Sequence, residues 1–487
     1  MLGSARESLI SIDTLAEQSG VRFGTSGARG LVLNMTDQVC WAYTTAFLQE
    51  VVPEAKRVAL GCDLRSSSPD IAKACAAAIQ ARGMQVEFAG ILPTPALAYY
   101  ALQEGIPAVM VTGSHIPFDR NGIKFYTATG EINKAHEAAI THAVVHDSGC
   151  YISKELNTSV PALDYYQERY LRFFPENFLQ GLRIGVYEHS SVARDFLPKL
   201  LRQFGAEVIS LGRTDEFVPV DTEAVSEEDQ ALGRIWALEH GLDALLSTDG
   251  DADRPLIGDE KGRWLRGDVV GLLCAQYLGA NTVAIPVSCT TSIERCGTFS
   301  HVVRTKIGSP YVIDAMDAAL AQGRHGVVGF EANGGFLVGD TFVRNNCQLQ
   351  PLPTRDAILP MLALLGLAKE RGVQLSNLET SLPRRFTASD RIKDYPNERS
   401  RILIANLLSF RNAVSTLLGD VCGELVTQDK TDGLRLTFSS EEIVHLRPSG
   451  NAPELRCYAE ASTDVRANEL VSFVLNATER NSFYFTR

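Results

Sequence analysis

The sequence predicts an α/β protein, with three similar mixed α/β domains in succession and a smaller C-terminal α+β domain. Two observations carry this. Over the first three quarters of the 487 residues, short apolar runs of strand length alternate with helical segments, as in mixed or parallel sheets covered on both faces. The last quarter changes character and reads as a hairpin and a further strand with two helices. The length agrees, since at ~100–200 residues per domain a chain this long needs three or four cores.

In order, Arg57–Cys62 reads as a buried strand, followed by a helix from Ser68 to about Arg82 with Ser68 as N-cap and Pro69 in the first turn. Gly83 ends that helix, and Val86–Ala89, Ala108–Thr112 and Ile123–Tyr126 are further short strands. The pattern restarts at Leu182–Tyr187, runs through a helix at Phe196–Phe204, and returns to a strand at Glu207–Leu211. It restarts again at Thr282–Val287, with a helix near Tyr311–Ala321 and a strand at Gly326–Phe330. In the tail, Leu434–Phe438 and Ile443–Leu446 form a hairpin, Glu454–Glu460 is a strand, and Asn397–Leu408 and Asp464–Thr478 are helices. Boundaries near 150–163, 258–266 and 372–382 divide the chain into domains 1–160, 161–260, 261–376 and 377–487.

Composition narrows the function. A net charge of −12 argues against a general binder of nucleic acid or acidic membrane. An anionic substrate therefore needs a local basic site, and Arg22/Arg29 and Arg447/Arg456 supply candidates. The ten cysteines are scattered without a C-x-x-C pair, the usage of reduced thiols in a cytoplasmic protein. The N-terminal segment has no long apolar core of a signal peptide, and no stretch has the ~18 uninterrupted apolar residues of a membrane span.

Four loops carry chemistry. In the first, Val111–Tyr126, a small-residue turn presents Ser114 beside His115, with Lys124 ten residues on. A serine needs activation to act as a nucleophile, and this set is suited to accepting a phosphoryl group and returning it. The second, Ser247–Arg254, places Asp249, Asp251 and Asp253 at alternate positions around Gly250. Carboxylates so placed converge on one hard cation, and oxygen-only ligands favour Mg²⁺ over Zn²⁺. An EF-hand reading is the sharpest rival, because Asp249, Asp251, Asp253 and Glu260 fit its positions. It fails because Arg254 stands where a glycine is required and the flanks read as strands. The third, Gly329–Phe336, offers Glu331 and Asn333 on a glycine-bounded turn, suited to vicinal hydroxyls. The fourth, Arg447–Arg456, combines small residues with the donors Arg447, Ser449 and Asn451, a cradle for a phosphate dianion. The N-terminal run Arg22–Gly30 adds two arginines that can line the same cleft. Asp63 and Arg65 read as a structural ion pair that orients the serine loop.

The order RFGTSGARG, G-x-D-x-R-x-S-S, T-G-S-H-x-P-x-x-x-N-G-x-K, D-G-D-A-D-R, G-x-E-x-x-G, R-P-S-G-N-x-P-x-x-R resembles the α-D-phosphohexomutase superfamily from about residue 22 to 460. That superfamily includes phosphomannomutases, phosphoglucomutases and phosphoglucosamine mutases. The resemblance implies four domains around one cleft, with a phosphoryl group carried on Ser114. It implies Mg²⁺ held by Asp249, Asp251 and Asp253 with that serine, and hexose phosphates as substrates. Glu331, Asn333, Arg22 and Arg254 would contact the substrate, and Arg447, Ser449, Gly450, Asn451 and Arg456 would surround its non-reacting phosphate. Arg29 would neutralise charge on the moving phosphoryl group. Lys124 would act as general base and acid, with its pKa lowered by burial near cations. His115 would hydrogen-bond to the phosphoserine. A hexose 1,6-bisphosphate would serve as intermediate and activator.

Three departures from the common pattern stand out: Gly113 and Ile116 flanking the serine, Asn333 and Gly335 where Ser and His are usual, and Asn451-Ala452 where Thr-Glu is usual. The leading expectation is interconversion of mannose 6-phosphate and mannose 1-phosphate, on the route to GDP-mannose, by a monomer or homodimer. Phosphoglucomutase or dual-specificity activity is the nearest alternative, and a catalytically silent sugar-phosphate binder or a hydrolase the more distant ones. C2 epimers differ in one hydroxyl's direction, which a loop sequence does not encode.

Overall fold

Three α/β sheets repeat one strand order. The computed structural model describes residues 9–24, 27–409, 414, 418, 420–449 and 453–480. In the first repeat the order is Gln85–Ile91, Arg57–Cys62, Ala108–Val111, Arg120–Thr127, with two parallel pairings followed by an antiparallel one. Glu207–Leu211, Arg183–Tyr187, Ala244–Thr248 and Pro255–Gly258 repeat it. His301–Thr305, Thr282–Pro286, Val327–Phe330 and Phe336–Val338 repeat it again. The first sheet is extended by Ala28–Leu31 and Arg22–Phe23, and the third by Leu352–Asp356. The fourth sheet is antiparallel throughout, in the order Phe386–Ile392, Leu455–Ala461, Ile443–Pro448, Leu434–Phe438, Leu425–Asp429.

The strands form where the sequence offers continuous apolar runs. Arg57–Cys62 and Ala108–Val111 are buried nearly throughout, as central parallel strands must be. In the last sheet the strand Leu434–Phe438 alternates instead. Leu434, Leu436 and Phe438 face inward and the residues between them are half-buried. One hydrophobic core lies within the first sheet and its helices, with Phe47 stacked on Phe125 at 4.8 Å. A larger one runs through the second and third repeats and against the helix Thr94–Glu104, and a third fills the C-terminal domain. Each fully buried aromatic or leucine contributes roughly 1.5–3 kcal/mol of transfer free energy.

Two local expectations change. Ser68 is the first residue of its helix, Ser67 is the cap, and the Ser68 hydroxyl donates to Asp63 Oδ1 instead of closing the helix end. Several helices had no periodic signal. Ile358–Arg371 is buried from Ile358 through Ala368, so no polar stripe marks it. No helix among the described residues is long and apolar enough to cross a membrane.

In each repeat the loop between the third, parallel strand and the fourth, antiparallel one leaves the carboxyl end of the sheet. Those three loops are 112–119, 249–254 and 331–335. The carboxyl edge of parallel strands is where open α/β sheets bind ligands. The serine, aspartate and glutamate loops thus occupy equivalent positions in three copies of one topology.

Candidate active site

Ser114 sits in the left-handed region at φ 52° and is buried. A non-glycine residue held there is strained, and such strain persists only where neighbours over-determine it. Arg65 does so. Its Nη1 donates to the carbonyls of Pro117 (2.8 Å) and Arg120 (2.9 Å), and its Nη2 to those of Ser114 (3.0 Å) and Ile116 (2.5 Å). Asp63 accepts from the Gly113 amide and lies 3.5 Å from Arg65 Nε. Phe217 covers the guanidinium at 3.9 Å. Two sequence departures, Gly113 and Ile116, lie within this clamp. A Cβ on Gly113 would fall 2.4 Å from Arg65 Cζ, so this arginine leaves room for glycine alone. At Ile116 only the carbonyl is gripped, so the side-chain type does not matter to the clamp.

The Ser114 hydroxyl donates to Asp249 Oδ2 at 2.6 Å and lies 3.3 Å from His115 Nδ1. Arg254 Nη1 donates to that same imidazole nitrogen at 2.9 Å. Burial and the positive charges of Arg254 and Arg29 hold the His115 pKa well below its ordinary value, so the ring is neutral. The two loops also touch through Gly250, where a Cβ would come 2.8 Å from the Ser114 carbonyl oxygen.

Asp249, Asp251 and Asp253 each offer an oxygen within 4.8 Å of the others, and all three are buried. Burial, with Asp251 and Asp253 close by, drives the Asp249 pKa well up. Asp251 Oδ2 accepts from Lys124 Nζ at 2.7 Å and from Thr94 Oγ1 at 2.7 Å, at the start of the helix Thr94–Glu104. Asp253 Oδ2 accepts from Lys124 Nζ at 2.8 Å. The remaining oxygens, Oδ1 of Asp251 and of Asp253, are buried without a hydrogen-bond partner. Buried, unpartnered carboxylate oxygens are costly, and three converging carboxylates repel. Hard, oxygen-only donors of this kind fit a divalent cation. Asp249, Asp251, Asp253 and the Ser114 oxygen are the residues that could hold it.

The expected depression of the Lys124 pKa is not found. Burial pulls the ammonium down, but Asp251 and Asp253 outweigh it and the pKa is raised. Lys124 thus pairs with both Asp251 and Asp253. Arg29 goes the other way, lowered to about 10 by burial and by Arg254 and Arg355 nearby.

In the third loop Glu331 is buried, and its Oε2 accepts from Arg355 Nη1 at 3.2 Å. Asn333 makes hydrogen bonds within its own loop. Its Oδ1 accepts from the Gly335 amide at 2.9 Å and its Nδ2 reaches Glu331 at 3.4 Å, so both ends serve the loop. In the fourth loop, Arg447 Nε lies 3.3 Å from Asp432, and the Ser449 amide donates to the Glu454 carbonyl. Gly450 and Asn451 lie outside the described residues. Arg456 lines a cleft of about 310 Å³ with Glu223, Ser389, Arg391 and Tyr458. Arg22 stands exposed, its Cα opposite that of Arg29 across the strand pair, and makes no ion pair among the described residues.

The segment before the helix Glu227–His240 spans the cleft. Phe217 packs on Arg65, Thr222 Oγ1 donates to the Asn333 carbonyl at 2.7 Å, and Glu223 lines the cleft beside Arg456.

Residues 20–148, 166–262, 266–386 and 399–477 match phosphoglucomutase/phosphomannomutase alpha/beta/alpha domains I, II and III and the C-terminal domain. The chain belongs to the phosphoglucomutase/phosphomannomutase family. It is 49% identical to a phosphomannomutase of Salmonella muenchen, over 94% of this chain and 96% of that one. It is 45% identical to a phosphomannomutase of Sinorhizobium fredii, over 93% and 98%. A solved phosphoglucomutase/phosphomannomutase family protein from Burkholderia thailandensis shares the fold, with TM-score 0.72, 20% identity, and 97% and 98% of the two chains covered.

Against the family loops, sequence reasoning missed Arg355, Phe217 and Glu223. Arg355 contacts both Asp253 and Glu331. No motif marks it, because the strand Leu352–Asp356 reads as an ordinary edge of the sheet. The signal that could have found it is Gly335, a missing side chain in a buried loop that some other group must fill.

Proposed function

We propose that this protein is a phosphomannomutase, moving a phosphoryl group between O6 and O1 of mannose phosphate by way of phosphorylated Ser114. The observation that carries the reaction type is the Ser114 hydroxyl, 2.6 Å from Asp249 at the edge of three converging carboxylates. The mannose preference is supported by the two phosphomannomutase relatives at 45–49% identity.

The phosphoserine Oγ–P bond breaks as a bond forms from phosphorus to the free hydroxyl oxygen of the hexose monophosphate, and the proton of that hydroxyl passes to the Ser114 oxygen, which leaves as the free hydroxyl. The resulting 1,6-bisphosphate turns over in the cleft and returns its other phosphoryl group to Ser114, and the same bisphosphate recharges enzyme that has lost its phosphate. Mg²⁺ held by Asp249, Asp251, Asp253 and the Ser114 oxygen would neutralise charge on the transferred group. Arg29, Arg254 and the Lys124 ammonium add positive charge around the same point. Phosphoryl transfer depends mainly on such positioning and electrostatic stabilisation. His115, with Nδ1 3.3 Å from the Ser114 oxygen and held by Arg254 Nη1 at 2.9 Å, positions the phosphoserine. Glu331 accepts hydrogen bonds from sugar hydroxyls, while Arg447 and Arg456 draw the non-reacting phosphate to the C-terminal domain. The ten cysteines are all unpaired, in keeping with a cytoplasmic enzyme.

The test is a mutase assay with Mg²⁺ and catalytic hexose 1,6-bisphosphate, comparing kcat/KM for mannose, glucose and glucosamine 1-phosphates. A preference for the mannose ester is expected. Equal use of mannose and glucose esters would make the enzyme dual-specific, and turnover of none would refute the reading.

A further inference from the structure

Gly335 stands where the family pattern commonly carries histidine. A Cβ there would fall 2.6 Å from Cδ, 2.7 Å from Cγ and 3.1 Å from Cβ of Arg355. These are atoms near the root of the arginine, and its head is fixed as well. Arg355 Nε and Nη2 reach Asp253 Oδ2 at 3.1 and 2.9 Å, and Nη1 reaches Glu331 Oε2 at 3.2 Å. The side chain is 3% exposed, so it cannot retreat into solvent. The only other side chain hydrogen-bonded to Glu331 among the described residues is the long contact from Asn333 at 3.4 Å. One guanidinium thus fixes the separation between the glutamate of the third loop and the aspartate of the second, and a planar fork holds two carboxylates in a way an ammonium cannot.

We propose that Arg355 is the positioning residue of the hexose site, holding Glu331 at a set place relative to Asp253, and that position 335 is glycine to admit it. The choice between hexoses then rests on a Glu331–Arg355–Asp253 link instead of on a side chain at 335. This rests on the phosphohexomutase reading above, with Glu331 as the hydroxyl acceptor.

The experiment compares wild type with Arg355→Met, Arg355→Lys and Gly335→Ala, measuring kcat and KM for mannose 1-phosphate and glucose 1-phosphate after thermal melts verify folding. Arg355→Met keeps the bulk and loses the link. Its KM for the mannose ester is expected to rise about tenfold or more, the size of one lost charged hydrogen bond, with kcat falling less. The mannose-to-glucose ratio of kcat/KM should collapse toward one, a readout that mere loosening of the fold would not move. Arg355→Lys reaches one carboxylate only and should recover part of the ratio. Gly335→Ala, which leaves every charge in place, should repeat the loss of preference and carries the test even where Arg355→Met does not fold. Folded variants with wild-type KM and wild-type preference would overturn the proposal, and a wild type that uses both esters equally would overturn its specificity claim. Wild type that turns over neither ester would instead refute the functional reading. Calorimetric binding of mannose 1-phosphate to wild type and Gly335→Ala would then still decide Arg355, with equal affinity counting against it.

Discussion

The serine–aspartate region and the C-terminal arginine region are built in opposite ways. Around Ser114 the hydroxyl, Lys124 and the three aspartates are buried, and charged groups brace them: Arg65 on four carbonyls, Lys124 and Arg355 on the aspartates. The loops meeting there leave equivalent points of repeated sheets, so rigid strands fix their spacing. The C-terminal motif instead lies between two strands of an antiparallel sheet, and its Arg456 lines a cleft. There Arg447 Nε lies 3.3 Å from Asp432 and Arg456 Nη2 3.6 Å from Glu454, and the Arg456 side chain stays partly exposed. Groups that act on a transferring phosphoryl must be pre-organised. Groups that capture a phosphate from solution must stay available, and a domain that admits and releases substrate needs freedom to move.

The contrast predicts a graded set of effects. Ser114→Ala removes the group that would carry the phosphoryl, so turnover should fall on the order of 10⁴-fold or more, while calorimetry still detects binding of mannose 1-phosphate. Substantial activity in this variant would move the chemistry elsewhere. Asp251→Asn should cost about 10²–10³-fold in kcat and abolish the response to Mg²⁺. Retained Mg²⁺-stimulated turnover would contradict the metal assignment. On the open side, Arg456→Ala should act mainly on KM, raising it about 10–100-fold for one lost charged contact to phosphate, with kcat little changed. A loss confined to kcat would erase the distinction between the two regions.

The smallest effect concerns pH. His189 donates from Nε2 to the Thr248 carbonyl under the aspartate loop, and His445 donates to the Asp432 carbonyl in the C-terminal domain. Burial lowers each pKa to about 4. The unfolded imidazole titrates near ~6.5, so between the two values the unfolded chain binds more protons. Stability is therefore full above that pH and falls as pH drops toward the folded value. At pH 5 each should cost up to about 2 kcal/mol relative to pH 8. Thermal melts at the two pH values, with His189→Gln and His445→Gln as controls, check this. Equal melting temperatures at both pH values would exclude it.

Much of the site was legible because its chemistry is local. Ser114 with His115 and the Asp249–Asp253 alternation each lie within one loop, where a single turn juxtaposes the side chains. What was not legible depends on neighbours far away in sequence. Lys124 looked like a candidate for a lowered pKa, yet Asp251 and Asp253, more than a hundred residues on, raise it. Arg355 reads as an unremarked strand residue until the space above Gly335 is known. The hydrogen bonds Asn333 makes to Gly335 and Glu331 depend on the turn that brings them together. The repeated α/β units were visible as alternating strands and helices, but their common strand order was not, since pairing is a long-range property. Fully buried helices such as Ile358–Arg371 hide their periodicity for the same reason.

The most direct test of the central claim is mass spectrometry of the enzyme after incubation with hexose 1,6-bisphosphate and Mg²⁺, followed by a chase with mannose 1-phosphate. The account predicts one phosphoryl group per chain, mapped to Ser114, that leaves on the chase and appears as mannose 1,6-bisphosphate. A phosphoryl group on another residue, or one on Ser114 that the sugar phosphate does not discharge, would contradict it.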